Sequence, residues 1–451
     1  MKSTQSVHSR ITYLDSPSAG LDSRMVAWQI LQSVAAGAYA SVALEKALQR
    51  HPLPPVDRGL ATEIAYGSIR RRLTLDTYLS HLGKVLANKQ PPLLRWLLHV
   101  GLYQLLFVER VPSAAAINTT VELAKKSSLA TLAPVVNGIL RTAHRFQQSG
   151  KAFVTLSNSS NNLEAIHSLP NWLTNNLLSW RGQMGLEAFA VTSNDSPPID
   201  LRINPLNTSR AQVLHALIKL GIKAQPLPGL SQGIAILGRL GNLQILPGFK
   251  LGHWCIQDRA AQWISPLLDP HPGHRVLDVC SAPGGKSTHI AELMGDVGEI
   301  WALDSSKVRL QKVVLNAKRL GLQTIHTLVA DGITISDLKP EWKGTFDRIL
   351  IDAPCSGLGT LVRHSDARWR ITFNDIKELE RIQERLLKGI IPLLKPGGKL
   401  VYATCTINPN ENETQITKLL NSSSNYSCIF QQTRWPSSAY GNGFFAAVLE
   451  T

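Results

Sequence analysis

Apolar residues recur at helical spacing through the first third of the chain. Val26, Ile30, Leu31 and Val34 share one helical face, as do Leu93, Leu97, Val100, Gly101 and Leu105. Val121, Leu123 and Ala124, then Val135, Val136, Ile139 and Leu140, carry the pattern to about Phe146. Prolines at 52, 54, 55, 91, 92, 112 and 134 punctuate it, and strand patterns are absent. The spacing therefore predicts an all-α domain over residues 22–150, its first helix capped by Asp22 or Ser23. Residues 1–21, with Ser16, Pro17, Ser18 and Gly20 near their end, read as a flexible tail. Residues 151–165, rich in Ser and Asn, read as a linker.

A mixed pattern follows over residues 166–255. Trp172 to Ala190 has helical spacing, and Ile199-Asp-Leu-Arg-Ile203 alternates like a strand. Ser209 to Leu220 is an amphipathic helix that Gly221 ends, and Ile234–Leu237 and Leu243–Leu246 read as two further strands. This predicts a small α+β unit. Residues 256–451 form a third region in which strands and helices alternate from Pro270 onwards. Its strands are Arg275–Cys280, Glu299–Asp304, Ile325–Asp331, Asp347–Asp352 and Lys399–Thr404. Helices lie between them: Lys286 to Met294, Lys307 to Leu320, and one whose apolar face runs Ile376, Leu379, Ile382, Leu386, Ile390. Such alternation predicts a Rossmann-like α/β domain, a doubly wound and largely parallel sheet with helices on both faces.

Charge sharpens the picture. The chain has 47 Lys and Arg against 32 Asp and Glu, a net charge of +15. Residues 1–150 hold 17 of the basic and 8 of the acidic residues. This excess favours a polyanionic partner, because each neutralised phosphate releases condensed counterions. Arg70-Arg-Arg72 is one candidate phosphate site, and Arg202 and Asn204 are candidates for RNA contact. Five scattered cysteines make no disulfide framework, and neither Cys-x-x-Cys pairs nor His clusters suggest a metal. The polar start is no signal peptide and no run of about 18 apolar residues exists. The expectation is a cytoplasmic, metal-free protein without a membrane span, a monomer by preference.

The segment Cys280-Ser281-Ala282-Pro283-Gly284-Gly285-Lys286 links the first parallel strand to its helix. Its glycines let a ligand approach the backbone, and the helix N-terminus offers free N–H groups to a carboxylate or phosphate. A Walker A loop would need Gly where Cys280 stands, and a dinucleotide loop would need Gly-x-Gly-x-x-Gly, so neither ATP nor NAD fits. Asp304 follows the glycines by about 20 residues, where an acid accepts ribose hydroxyls. Asp331 at the end of the third strand would face an adenine. Either aspartate could instead serve as a cap or turn. Cys355, in Asp352-Ala-Pro-Cys-Ser-Gly357, and Cys405, in Ala403-Thr-Cys-Thr406, lie on the same sheet edge. Cys255 and Cys428 read as small buried apolar residues.

These motifs carry a resemblance. Ala-Pro-Gly-Gly-Lys, Asp-Ala-Pro-Cys-Ser-Gly and Tyr-Ala-Thr-Cys-Thr, in this order, resemble the RNA cytosine-5 methyltransferases of the NOL/NOP/Sun superfamily. Ala65-Tyr-Gly-Ser-Ile-Arg-Arg-Arg72, Gly101-Leu-Tyr-Gln-Leu105 and Val136-Asn-Gly-Ile-Leu-Arg141 resemble a NusB-like helical RNA-binding domain. Leu201-Arg-Ile-Asn-Pro205 and Gln257-Asp-Arg-Ala-Ala-Gln262 match positions ahead of the cofactor strand. The combination is similar to the Sun/Fmu group, which acts on 16S rRNA. Asn442 departs from the Asp usual in that family, and Ser281 occupies a variable position.

The resemblance implies S-adenosylmethionine as cofactor and 16S rRNA or a small-subunit precursor as partner. It implies Cys405 as nucleophile and Cys355 as the thiol that assists product release. Asp352 can hydrogen-bond the cytosine edge. Cofactor contacts would come from residues 280–286, Asp304, Asp331 and Asp352. Lys286 and Arg309 would add positive charge, unless Arg309 lies on a solvated helix face. A DNA cytosine methyltransferase would instead use the Pro-Cys thiol. An enzyme for another RNA and a non-catalytic ribosome assembly factor are the remaining alternatives.

Overall fold

The computed structural model describes residues 20–150, 162–238, 240–422 and 425–451. Most of the expected tail and most of the expected linker lie outside the described residues. The described part falls into two units, residues up to 183 and residues 184–451.

The first unit is helical: α1 (Leu21–Ala35), α2 (Ala40–Arg50), α3 (Pro55–Arg70), α4 (Arg72–Leu82), α5 (Pro92–Phe107), α6 (Ser113–Lys125), α7 (Ala133–Gln148) and α8 (Asn162–His167). Prolines 55, 92 and 134 sit in first turns, where the missing N–H costs nothing. Helix α5 is the buried axis, with Leu97, Leu98, Val100 and Leu102 fully enclosed. Gly101 permits its close approach to α7, since a Cβ there would lie 2.8 Å from Leu140. Gly20, in the left-handed region at φ 81°, precedes α1 in place of the expected Asp22 or Ser23 cap. The Ser23 hydroxyl instead donates to Asp57 at 2.9 Å. The Arg70-Arg-Arg72 run is not a free basic strip. Arg70 is buried, Arg71 lies 5.1 Å from the Phe107 ring centre, and Arg72 lies 5.3 Å from that of Trp96.

Helix α9 (Asn171–Asn194) breaks at Gly182, whose φ of 66° and ψ of −173° are not helical. The second unit then opens with a four-stranded antiparallel sheet. Its strands β1 (Ile199–Ile203), β2 (Ala224–Pro226), β3 (Gly233–Ile236) and β4 (Trp254–Ile256) lie in the order β2-β3-β1-β4, with α10 (Arg210–Lys219) between β1 and β2 in sequence. Ser209 caps α10 in a capping box with Gln212, and Gly221 follows it at φ 75°. The expected strand at Leu243–Leu246 is instead a 3₁₀ turn over Leu243–Ile245, because the Asn242 side chain accepts the Gln244 N–H. Strands β2 and β4, three residues each, are too short to show alternation.

The large sheet contains β5 (Arg275–Val279), β6 (Glu299–Asp304), β7 (Ile325–Val329), β8 (Phe346–Asp352), β9 (Leu394–Thr404), β10 (Ser427–Arg434) and β11 (Phe444–Glu450), ordered β10-β11-β9-β8-β5-β6-β7. Five strands are parallel; β11 and β10 run antiparallel at one edge. Helices α11 (Arg259–Leu267), α12 (Gly285–Leu293) and α13 (Lys307–Leu320) belong to one face, where Val276, Leu350 and Val401 point. Helices α14 (Ile335–Leu338), α16 (Phe373–Ile390) and α17 (Glu413–Ser422) belong to the other, with Leu277, Ile351 and Leu400. A short α15 spans Ala367–Arg370. No helix among the described residues is long and apolar enough to cross a membrane.

Arg202 and Asn204, candidates for RNA contact, are both fully buried. The Arg202 guanidinium pairs with both Glu292 oxygens at 2.8 and 2.9 Å and donates to Gln257 Oε1, Gly285 O and Thr288 Oγ1. It thus fastens β1 to the first turn of α12. Asn204 donates to the Gly252 and Leu320 carbonyls. Both donor sets are already satisfied inside the protein, so their role is to join the small sheet to the large one. Removing one partner of such a pair leaves a buried charge alone. Arg202→Ala is therefore expected to lower the unfolding free energy by about 3–5 kcal/mol in a denaturant melt. A variant of unchanged stability that has lost RNA affinity would restore the original expectation.

Candidate active site

Strand β5 leaves the sheet through Cys280, whose φ of 60° turns the chain sharply. Gly284 then sits at φ 98°, and a Cβ there would come within 3.0 Å of Val313 Cα on α13. Both facts demand glycine at that position. The loop is held by Ser281 N–H to Leu303 O and Gly284 N–H to Ser281 O, at 3.0 and 2.8 Å. It leaves the hydroxyl of Ser281 buried without a hydrogen-bond partner. That orphan group and the open α12 N-terminus suit the polar end of an amino-acid-bearing cofactor.

Asp304 ends β6 beside this loop and is buried. Its Oδ1 accepts the Ser306 N–H at 2.9 Å and its Oδ2 accepts the Ala282 N–H at 3.3 Å. Arg309, half in solvent, donates to Ala282 O at 2.7 Å and lies 3.4 Å from Asp304 Oδ2. It belongs to the loop's support rather than to a free helix face. Asp331 stands two residues beyond the end of β7, exposed, and its Oδ1 accepts the Ile333 N–H at 2.9 Å. It shapes that turn and does not end the strand as expected.

Lys286 projects from the first turn of α12, and its ammonium donates to Asp352 Oδ2 at 2.7 Å. Its Nζ also lies 5.3 Å from the centre of the Phe444 ring. Burial works against the Lys286 charge, but Asp352, then Cys405 and Asp278, outweigh it and raise its pKa. Beyond β8 and β9 the two thiols meet: Cys355 Sγ and Cys405 Sγ are 3.3 Å apart, both half-buried. The contact with Cys405, then burial, then charge at Cys405 and Glu411, pushes the Cys355 thiol well above its usual range. Burial, reinforced by Asp352, Asp304 and Asp278, pushes Cys280 up to about 12.

Sequence reasoning missed two carboxyls here. Asp278, on β5 beneath the loop, is fully buried and accepts the Ser287 hydroxyl at 2.5 Å. Glu411, in the 3₁₀ turn Pro409–Glu411, is also fully buried. It accepts the Ser356 N–H at 2.8 Å and the Ser356 hydroxyl at 2.5 Å. The only signal for it was the polar run Asn408-Pro-Asn-Glu-Asn-Glu413 directly after a buried strand. Among the described residues no group of three or more His, Cys, Asp or Glu is placed to hold a metal ion.

A family model described as 16S rRNA methyltransferase RsmB/F matches residues 265–450, a NusB family model matches 21–145, and an RsmF/B-like ferredoxin-like domain matches 169–240. The chain is 45% identical over 401 residues to the probable ribosomal RNA small subunit methyltransferase B of Synechocystis sp., covering 89% of each. It is 37% identical over 431 residues to the ribosomal RNA small subunit methyltransferase B of Proteus mirabilis, covering 93% of this chain and 98% of that one. A crystal structure of a methyltransferase homologue from Pyrococcus horikoshii is 28% identical, with a TM-score of 0.58 over 65% of this chain and 99% of its own. The crystal structure of PH0851 is 25% identical, with a TM-score of 0.81 over 98% of this chain and 100% of its own.

Burial lifts the Asp278 carboxyl to about 7, the Ser287 hydroxyl opposing and Asp352 adding to the shift. The folded protein then holds a proton that the unfolded chain releases near ~3.9. Stability from that proton is complete below the unfolded pKa and is lost as pH rises towards 7. Asp278→Asn, neutral throughout, should flatten this slope and stabilise the protein at pH 8 by on the order of 1–3 kcal/mol. Urea melts at pH 5 and pH 8 measure it, and an unaltered slope in the variant would exclude Asp278 as the source.

Proposed function

The chain belongs to the ribosomal RNA small subunit methyltransferase B family, and we propose that it methylates carbon 5 of a cytosine in 16S rRNA through a covalent adduct on Cys405. The observation that carries this reading is the pair of thiols 3.3 Å apart, next to the Lys286–Asp352 pair and the glycine loop. The family's methyl donor is S-adenosylmethionine. Residues 280–286, Asp304 and Asp331 would hold it, with Arg309 bracing the loop and Asp352 at the boundary with the base. Bound there, it supplies an electrophilic methyl group.

Carbon 5 of cytosine is a poor nucleophile, and the protein's task is to make it a good one. The Cys405 thiolate adds to carbon 6, and the ring's electron pair moves towards carbon 5 and N3. Asp352 hydrogen-bonds the N3/N4 edge, and the neighbouring Lys286 ammonium offsets the charge that the adduct gathers. Once carbon 5 carries the methyl group, a base removes its proton. The electrons of that C–H bond re-form the ring double bond and expel the Cys405 thiolate. Cys355, held as a thiol beside the leaving sulfur, assists this release. The target base must be accessible to the thiols, so it is either unpaired or flipped from a helix. The basic helical domain would add phosphate contacts to the same substrate, and the reaction belongs in the cytoplasm, where that substrate is.

Cys405→Ala is expected to cut methyl transfer to 16S rRNA by more than about 10³-fold and to form no covalent complex. Cys355→Ala should leave attack intact and slow release, giving a protein–RNA band that survives denaturant and disappears in the double variant. Trapping by Cys405→Ala instead would reverse the two roles. S-adenosylhomocysteine should protect the protein against heat. Asp304→Ala should weaken that binding by about tenfold or more through loss of a charged acceptor. Equal protection by ATP would sink the cofactor assignment.

A further inference from the structure

The proposed reaction does not use every buried charge. Glu411 is fully enclosed, and its hydrogen-bond partners are all neutral. Oε1 accepts the Ser356 N–H at 2.8 Å and the Gln383 amide at 3.2 Å. Oε2 accepts the Ser356 hydroxyl at 2.5 Å, the Asn408 amide at 3.0 Å and the Thr406 hydroxyl at 3.3 Å. The Ser356 and Thr406 hydroxyls also touch each other at 2.8 Å. Ser356 directly follows Cys355, and Thr406 directly follows Cys405.

We propose that Glu411 is a positioning residue for the two thiols: its buried carboxylate clamps the residue after each cysteine and so keeps Cys355 and Cys405 in contact. An ionised carboxylate is an acceptor only, with about four lone-pair sites, and it alone can take this many converging donors. A neutral glutamine would turn an N–H₂ group towards them. The clamp has a second effect, because it sets a carboxylate near Cys355. Negative charge disfavours a second anion nearby. Contact with Cys405 and burial already raise the Cys355 pKa, and Glu411 adds to them. The clamp thus divides the labour, keeping Cys355 the protonated member of the pair. This meaning rests on the roles proposed above, whereas the clamp itself is tested on the free protein without RNA.

The experiment uses the full chain and two thiol probes. Phenylarsine oxide bridges closely spaced thiols, and peptide mapping locates the bridge. Iodoacetamide labelling across a pH series gives the midpoint for each cysteine. The wild type should bridge Cys355 to Cys405, and Cys405→Ala should not. Glu411→Gln should bridge at least about tenfold more slowly. Its Cys355 midpoint should fall below that of the wild type, giving more thiolate at fixed pH. The midpoint also falls when the two thiols merely separate, so the effect of the charge is read as the difference from a variant that keeps it. Ser356→Ala keeps the charge and removes one hydroxyl of the clamp, so it should slow bridging while its Cys355 midpoint falls less than that of Glu411→Gln. Wild-type bridging and midpoint in Glu411→Gln would overturn the proposal. If that variant does not fold, wild-type bridging in Ser356→Ala overturns it. Methyl transfer to another base would refute the proposed function and leave these readouts untouched.

Discussion

The parallel pairing of β8 with β9 is the constraint on which the site depends. The two strands end level, with Asp352 opposite Ala403. Adjacent strands lie about 4.8 Å apart, so chains leaving them side by side start within side-chain reach. Cys355 comes three residues after Asp352 and Cys405 two after Ala403. The exits are then tied to each other, by Ala353 N–H to Ala403 O at 2.9 Å and Gly359 N–H to Cys405 O at 3.0 Å. Gly359 is obligatory there, since a Cβ would lie 2.1 Å from the Gly443 carbonyl oxygen. A slip in the β8–β9 register would separate the thiols whatever else was preserved.

The same edge gathers the other parts. Strand β5 pairs with both β8 and β6, so the glycine loop opens between the ends that bear Asp352 and Asp304. Lys286 crosses from the loop's helix to pair with Asp352. Behind it, Arg202 anchors the first turn of α12 to the small sheet through the Gly285 carbonyl. The glycine loop is therefore braced from two directions, by Arg309 in front and by Arg202 behind.

How far the sequence discloses this arrangement depends on the kind of signal. The helical front, the parallel strands and the glycine loop all follow from periodicity and turn chemistry, because these are local. The three-residue strands β2 and β4 and the antiparallel β10 and β11 went unread: two are too short for a period, and the others follow no strand–helix rhythm. Arg202 and Asn204 were misread as RNA contacts because charge and polarity suggest a surface, and only tertiary packing shows that Glu292, 90 residues away, closes over the arginine. Glu411 was missed for the converse reason. Its partners come from α16 and from both cysteine loops, and nothing local announces a buried carboxylate. Asp331 lies two residues past the strand it was expected to end, because its side chain accepts the Ile333 N–H and shapes the following turn.

In the proposed reaction Cys405 bonds to carbon 6 of a cytosine while carbon 5 is methylated. RNA carrying 5-fluorocytidine tests this most directly, because fluorine replaces the proton whose removal frees the enzyme. With S-adenosylmethionine present, the wild-type protein should become covalently linked to this RNA in one turnover. Peptide mapping should then find the methylated, fluorinated nucleotide on Cys405. A nucleotide on Cys355, or steady turnover of the fluorinated RNA with no adduct, would contradict the account.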